Sequence, residues 1–216
     1  MCVMRLEPVS GSIPPYKPGQ FMFLHMLEGE KTIVRRAYSL ASAPSSPYLE
    51  FAILLVKGQF TGRLEKMKVG DILGVEGPAG HMVYEGQTKA GFIGGGTGIA
   101  PFISILRHIA ENKIEGEFVV FYSARIKGWV LFKDELESLK KKHKGIKIVI
   151  TLTREKDESW KGEKGRIDCP MILRYVKDPA GYDWFICGSP KLVKAMRECL
   201  EDAGADPKKL KMEGWG

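Results

Sequence analysis

The sequence predicts a two-domain fold: an antiparallel Greek-key β-barrel over residues 1–86, followed by an α/β parallel-sheet domain over residues 87–216. Strand-like runs separated by Pro and Gly fill the first part, whereas strands alternate with amphipathic helices in the second. The polar stretch 84–89 marks the boundary between them. A chain of 216 residues with 44% hydrophobic content can bury two such cores.

The strand patterns of the barrel are short, β-branched and bounded by turn residues. They are expected at 3–7, 20–27, 32–40, 49–56 and 71–75. In the second domain strands are expected at 91–94, 117–123, 146–151 and 182–187. A helix with one apolar stripe is predicted over 99–110, and another over 192–203 with Gly204 as its C-cap.

A glycine cluster joins the first strand of the second domain to its first helix. Four glycines occur among residues 94–98, directly after the apolar run 90–93. Glycine tolerates positive φ and has no Cβ, and a helix N-terminus offers free N–H groups, so such a turn can approach a phosphate closely. The spacing is not the Rossmann fingerprint, and a tight strand-to-helix loop is the alternative interpretation.

Two further segments carry residue types suited to a ligand. Arg36 and Tyr38 point to the same face of a strand, which suits a phosphate joined to a flat heterocycle, although an ordinary sheet surface is the alternative. Ser39 joins them only at a kink or a strand end. Cys187 ends another strand; a lone cysteine there is commonly a small buried hydrophobe, but ligands of open α/β sheets bind at C-terminal strand ends.

Taken together, these segments resemble the ferredoxin–NADP(+) reductase superfamily, and most closely the bacterial ferredoxin/flavodoxin reductases. The resemblance rests on motifs kept in one order along nearly the whole chain: Arg36-Ala37-Tyr38-Ser39, Gly58-Gln59-Phe60-Thr61, Gly70-Asp71, Gly77-Pro78-Ala79-Gly80, Gly95-Gly96-Thr97-Gly98-Ile99-Ala100-Pro101, Cys187-Gly188-Ser189-Pro190 and Glu213-Gly214-Trp215.

The resemblance implies an FAD site on the barrel. Arg36 would hold a flavin phosphate, Tyr38 would pack against the isoalloxazine, and Ser39 would reach flavin N5. A short helix at 62–67 would receive the pyrophosphate at its N-terminus. Trp215 would cover the flavin until nicotinamide displaces it. The remaining implied FAD contacts are Ala37, Ile53, Gln59, Phe60 and Thr61.

The resemblance also implies an NADP site on the second domain, with NAD possible. Thr97 and the glycines Gly95, Gly96 and Gly98 would cradle the nucleotide, and Cys187 would stand beside the nicotinamide. Ser39, Cys187 and Glu213 are the implied catalytic residues. The other implied nucleotide contacts are Ser123, Arg125, Thr153, Arg154, Arg166, Gly188, Ser189 and Pro190, and the three arginines favour NADPH over NADH.

Three departures from the family pattern are visible. Gly216 follows the aromatic residue that usually ends these chains, and the cysteine cluster of the iron–sulfur members is missing. The family's barrel also begins with a strand ahead of the one expected at 3–7. Either that strand is absent, a neighbouring segment replaces it, or the start codon is mis-assigned.

Charge and cysteine content limit the other function classes. The net charge of +7 suits an acidic electron carrier, ferredoxin or flavodoxin. The basic runs are not interleaved with aromatic residues, so they do not indicate nucleic-acid binding. Four separated cysteines indicate no metal site, and a reducing cytoplasm without membrane association is expected. The expected activity is electron transfer between NAD(P)H and that carrier. The alternatives are a reductase subunit of a multicomponent oxygenase, hydrogenase or dihydroorotate dehydrogenase, and a binding module without redox activity.

Overall fold

The computed structural model describes residues 1–215, and its N-terminal part is built from antiparallel strands. Their bounds are β1 Cys2–Leu6, β2 Phe21–Glu28, β3 Lys31–Ser39, β4 Leu49–Ile53 and β5 Gly74–Ala79, with one helix, α1 Gln59–Leu64. β1 pairs with β4, β2 lies between β3 and β5, and a bridge between Leu40 and Phe51 joins the two sheets. We call this part the barrel domain.

The barrel domain has its own core because its strands alternate between polar and apolar residues. In β2 the side chains of Met22, Leu24 and Met26 are buried, and each is separated by a more exposed neighbour. Phe51 of β4 and Phe60 of α1 complete the same cluster. Alternation with period two therefore explains why this segment forms strands with one face toward a core.

The second part is a parallel sheet covered by helices on both faces, which we call the α/β domain. Its strands follow the order β11-β10-β6-β7-β8-β9, all parallel. The bounds are β6 Lys89–Gly95, α2 Ala100–Glu111, β7 Glu117–Ala124, α3 Lys133–Lys142, β8 Ile146–Leu152, β9 Glu163–Lys164, α4 Cys169–Tyr175, β10 Asp183–Gly188, α5 Pro190–Asp202 and β11 Leu210–Gly214.

Both faces of this sheet are apolar, as a doubly covered parallel sheet requires. In β7, Val120 and Tyr122 belong to the core shared with α2 and α3, whereas Val119 and Phe121 belong to the core shared with α4 and α5. The strands therefore appear in the sequence as continuous hydrophobic runs. The predicted antiparallel and parallel halves are both confirmed.

The two domains share buried surface. Ala41, Ala52, Met82 and Tyr84 of the barrel domain lie in the same core cluster as α2. Lys211 of β11 also donates to the carbonyl oxygen of Val83 at 2.6 Å. The division at residues 86 and 87 stays a prediction, because the packing contacts between the two domains are continuous there.

Some elements differ from the sequence expectation. The short helix expected at 62–67 is α1, which begins three residues earlier, so Gln59 lies inside it. β5 begins three residues later than expected. β9 and β11 were not predicted. β9 has only two residues, too few to show a periodic pattern, and β11 follows a basic turn.

A disulfide that the sequence did not predict joins Cys169 of α4 to Cys199 of α5, with Cα atoms 5.6 Å apart. From the sequence, the four separated cysteines were taken only as evidence against a metal site, and no pairing was assigned to them. No helix within residues 1–215 is long and apolar enough to cross a membrane.

Candidate functional site

Parallel pairing brings three predicted segments to one edge of the α/β sheet. Cys187 of β10 lies opposite Gly94 of β6 on one side and opposite Glu213 of β11 on the other. All three strands end at this edge, where ligands of open α/β folds bind. The glycine turn, Cys187 and Glu213 therefore form one site.

The glycine turn packs directly on Cys187. It is a single 3-10 turn, Gly96–Ile99, which passes straight into α2. A Cβ at Gly98 would overlap the carbonyl oxygen of Cys187, so only glycine fits there. Gly96 has a φ of +59° and faces open space, which leaves its backbone accessible to a ligand.

The Cys187 thiol is the meeting point of the two domains. It is fully buried, and the side chains of Ser39 and Trp215 lie close enough to its sulfur to lower its pKa. Burial raises the pKa of Cys187, and the nearby Glu213 carboxylate raises it further, so the group stays a neutral thiol. Ser39 is the last residue of β3, which explains how it reaches a partner that a mid-strand serine on that face would not.

Glu213 is a partly buried carboxyl group with an altered affinity for protons. The backbone N–H of Met82 lies near enough to lower its pKa, while Oε2 is buried without a partner among residues 1–215. Burial raises the pKa of Glu213 to about 7, although the Met82 contact opposes the change. A Cβ at Gly80 would lie 2.9 Å from Glu213 Oε1, so that glycine makes room for the carboxyl. Glu213 can hold or release a proton near neutral pH.

Trp215 lies between the barrel and the end of β10. Its ring meets Phe21 edge-on, with centroids 5.4 Å apart and planes at 86°. Its backbone N–H donates to the carbonyl oxygen of Gly188 at 2.8 Å. Trp215 is still 36% exposed, so it packs against Phe21 without being locked into a core.

Arg36 and Tyr38 share one face of β3, as the strand alternation predicts. Tyr38 is half-buried with its ring centroid 5.6 Å from that of Phe60. Burial raises the pKa of Tyr38 to about 12, and the positive charge of Arg36 opposes this, so the two side chains are near each other. Arg36 is exposed and uses Nη1 only for the neighbouring carbonyl of Arg35, at 2.7 Å, which leaves its other N–H groups for a ligand.

The start of α1 is open, but Thr61 is occupied. Gly58 supplies no side-chain cap to the helix, and Gln59 is exposed. The Thr61 hydroxyl donates to the carbonyl of Val56 and is buried, so in this structure it braces the loop ahead of the helix. Ile53 is fully buried in the barrel core.

Three exposed arginines lie along the same sheet edge. Arg125 follows β7, and its carbonyl accepts from the backbone N–H of Arg154, which follows β8, at 2.8 Å. Arg166 follows Gly165, whose carbonyl accepts from the hydroxyl of Thr151 at 2.7 Å. The ion pairs that arginines make within residues 1–215 involve none of these three. Their guanidiniums are therefore available to an anion.

The remaining predicted nucleotide contacts also lie at this edge, where they make contacts within the protein. Ser189 caps α5 by accepting from the N–H of Leu192 at 3.3 Å, and Pro190 occupies the first turn. Ser123 lies opposite Gly95 and Thr151 in the sheet register. The hydroxyl of Thr153 lies 3.4 Å from the carbonyl of Ala124.

These groups fit a flavin beside a pyridine nucleotide. The turn at Gly96 presents backbone where a side chain is absent, and the orphaned Glu213 Oε2 lies beside a buried thiol. Sequence reasoning missed Phe21, whose ring packs against Trp215, and Met82, whose backbone lies beside Glu213. Neither belongs to a motif, so no sequence signal could have found them.

Comparison with known proteins identifies the family. The oxidoreductase FAD-binding domain matches residues 5–84, and the oxidoreductase NAD-binding domain matches residues 92–198. The chain belongs to the ferredoxin–NADP(+) reductase superfamily, and it carries the FAD-binding and NAD-binding oxidoreductase domains of that group.

Individual relatives differ in their named roles. The chain is 33% identical over 205 residues to NADH-cytochrome b5 reductase 1 of Mycosarcoma maydis, covering 91% of this chain and 62% of the relative. It is 33% identical over 210 residues to the reductase component of propane 2-monooxygenase from Rhodococcus jostii, covering 93% of this chain and 56% of that protein. The chain thus spans less than two thirds of either relative.

Among solved structures, the crystal structure of a ferredoxin NADP+ reductase from Neisseria gonorrhoeae with bound FAD and NADP is similar across both domains. It has a TM-score of 0.82 at 25% identity, covering 98% of this chain and 91% of that one. This likeness extends the family assignment to the arrangement of the two domains.

Proposed function

We propose that this protein carries FAD on residues 1–86 and NADPH on residues 87–216, and passes electrons between NADPH and a one-electron carrier, ferredoxin or flavodoxin. The observation that carries the proposal is the contact between the two domains at the strand edge beside the glycine turn, where the rings of Phe21 and Trp215 meet at 5.4 Å and Gly80 lies against the Glu213 carboxyl. A flavin held by the first domain and a nicotinamide held by the second would meet at that contact. Bound FAD would supply the hydride acceptor and the donor of single electrons.

The chain's own residues orient the rings and manage the proton. Arg36 and Tyr38 offer a cation and an aromatic face on one side of β3, with Gln59 and the open start of α1 nearby in the fold. Ser39 and Cys187 set the separation of the two domains at the reacting point. Glu213, with a pKa near 7, holds a proton that a neighbouring group can exchange.

The preference for NADPH rests on Arg125, Arg154 and Arg166. A 2′-phosphate carries nearly two negative charges, and each charge-assisted contact contributes about 1.5–3 kcal/mol, or roughly 10- to 150-fold. The measurement is kcat/KM for NADPH and NADH in wild type and in Arg154→Ala, with Arg197→Ala, an arginine on α5, as control. A wild type that prefers NADH, or an unmoved preference in Arg154→Ala, contradicts this assignment.

The acceptor is tested with the purified protein. Its visible spectrum is recorded without oxygen, then after NADPH, then after addition of a ferredoxin and of a flavodoxin. Boiling should release FAD, and FMN as the only released flavin would contradict the proposal. The net charge of +7 favours an acidic carrier. Arg36→Ala should lose bound FAD, whereas its unfolding temperature should change comparatively little.

A second candidate is the reductase component of an oxygenase system, the named role of the Rhodococcus jostii relative. Failure to reduce either free carrier, together with rapid bleaching of the flavin by the nucleotide, favours this candidate.

The first proposal includes a cytoplasmic location for the protein. Because the Cys169–Cys199 disulfide is unusual in most reducing compartments, cell fractionation and thiol labelling of the native protein check it.

A further inference from the structure

Arg107 of α2 joins the two domains through one guanidinium. Its Nη1 donates to Glu50 Oε2 at 2.7 Å and to the carbonyl oxygen of Ala41 at 2.9 Å, both in the barrel domain. Its Nε and Nη2 donate to Glu135 of α3 at 2.6 and 2.8 Å, within the α/β domain. A planar fork can hold acceptors in these fixed directions at once, which an ammonium group does not do.

The acceptor on the barrel side is enclosed. Glu50 of β4 has a side chain only 1% exposed, and it also accepts from Arg5 Nε at 2.6 Å. The chain of charges Arg5, Glu50, Arg107 and Glu135 is balanced, and its centre is out of water. Because a buried carboxylate needs its partners, separating the domains at this point is unfavourable.

Two short routes connect Arg107 to the reacting point. On the barrel side, Ala41 lies two residues beyond Ser39, and its N–H donates to the carbonyl of Glu50 at 2.7 Å. On the other side, α2 begins at Ala100, directly after the glycine turn that packs on Cys187. The segment that carries Ser39 and the glycine turn that packs on Cys187 therefore both connect to the same side chain.

A neighbouring hydrogen bond strengthens this connection. Ser104, one turn earlier on α2, donates through Oγ to the carbonyl of Ser42 at 2.6 Å. The hydroxyl of Ser42 also takes part, because it accepts from the backbone N–H of Glu50 at 3.1 Å. The helix is thus attached to the segment after β3 at two successive turns, which restricts both sliding and rotation.

We propose that Arg107 is a positioning residue that holds the segment carrying Ser39 in register with the glycine turn and Cys187, and so governs the rate of hydride transfer. The inference rests on the proposed function. In the overall step NAD(P)H, FAD and a proton give NAD(P)+ and FADH2, so two electrons leave the nicotinamide with the hydride. Displacement of about 1 Å can slow such a transfer roughly 10²-fold.

The test compares three variants. Arg107→Gln removes the interdomain contacts, whereas Glu135→Gln removes only the partner within the α/β domain and leaves Glu50 and Ala41 bound. Arg197→Gln on α5 is the matched surface control, since among residues 1–215 Arg197 forms an ion pair only with Glu201 in the same helix. The double variant Arg107→Gln/Glu50→Gln covers the case in which Arg107→Gln alone does not fold, because it leaves no buried carboxylate unpaired; Glu135, 32% exposed, stays in contact with water.

Two readouts are needed. Stopped-flow bleaching of the flavin gives the maximum rate of its reduction, and titration gives the dissociation constant of the oxidised nucleotide. Hydrogen exchange on the protein without nucleotide or substrate reports the amides of residues 39–42. We expect Arg107→Gln, or the double variant, to lower the maximum rate by roughly 10- to 100-fold. Nucleotide affinity and FAD content should stay within about twofold, amide exchange at 39–42 should accelerate, and Glu135→Gln and Arg197→Gln should resemble wild type.

Other results overturn the proposal. An unchanged rate, or an equal loss of rate in Glu135→Gln, means that Arg107 does not act through the interdomain contact. A loss of FAD or of nucleotide affinity in proportion to the rate means that its role is general stability. If wild type is not reduced by either nucleotide, the proposed function fails instead, and the exchange measurement still reports whether Arg107 holds residues 39–42.

Discussion

Glu213→Gln should remove a dependence of stability on pH. The wild-type carboxyl has a pKa raised by burial from 4.5 to about 7, so the folded state favours the protonated form. Stability from this group is therefore fully present below about pH 4.5 and is lost as the pH rises through about 7. Glutamine keeps the shape and carries no charge, so the variant should lack this loss.

The magnitude follows from the pKa difference. A change from 4.5 to about 7 corresponds to about 3.4 kcal/mol for a fully enclosed group. The carboxyl is partly accessible to water, which screens the effect, so we expect about 1–2 kcal/mol. Glu213→Gln should thus gain that much stability relative to wild type between pH 4.5 and pH 8.

Urea unfolding of the holoprotein at several pH values measures this difference. Glu7→Gln, at an exposed carboxylate near the N-terminus, is the matched control. Free energies of unfolding that run parallel for wild type and Glu213→Gln across this range would refute the assignment of a raised pKa to this group.

Three further predictions concern the same edge of the sheet and its support. Cys187→Ala should slow flavin reduction up to about 10²-fold with near-normal FAD content, because Ser39 and Trp215 lose the sulfur that lies beside them; an unchanged stopped-flow rate refutes this. Trp215→Ser should tighten binding of oxidised nucleotide and alter the flavin spectrum; if neither changes, the indole does not compete for the flavin face. Replacing Cys169 and Cys199 by Ser should lower the free energy of unfolding by about 3–4 kcal/mol, as expected for a closed loop of 30 residues. Equal denaturation midpoints for the double variant and wild type contradict it.

Local patterns predicted the elements that position the site. The hydrophobic runs of β6, β7, β8 and β10 and the stripe of α2 are regular enough to be found in sequence, because burial on both faces dictates them. Parallel pairing then places their C-terminal ends together, so the meeting of the glycine turn with Cys187 followed from the pattern. Ser39 was expected to join Arg36 and Tyr38 only at a kink or a strand end, and it is the last residue of β3.

The contacts between distant segments were not predictable in the same way. Glu50 and Arg107 are 57 positions apart, and each alone is typical of a solvated charge in a strand or a helix. The disulfide was missed for a similar reason, since Cys169 and Cys199 lie 30 positions apart without a spacing motif. α1 begins three residues earlier than expected, so Thr61 lies inside the helix, from where it bonds back to Val56.

This difference has a physical basis that bears on the reaction itself. A motif specifies which chemical groups a segment offers, and Arg36, Cys187 and the glycine turn are of that kind. The distance between two groups held by different domains depends on the interface, and here that interface is held by Arg107 with Glu50 and by Ser104 with the Ser42 carbonyl. Relatives that share every motif can therefore differ in rate through residues that no motif contains, since a small displacement changes hydride transfer more than it changes binding.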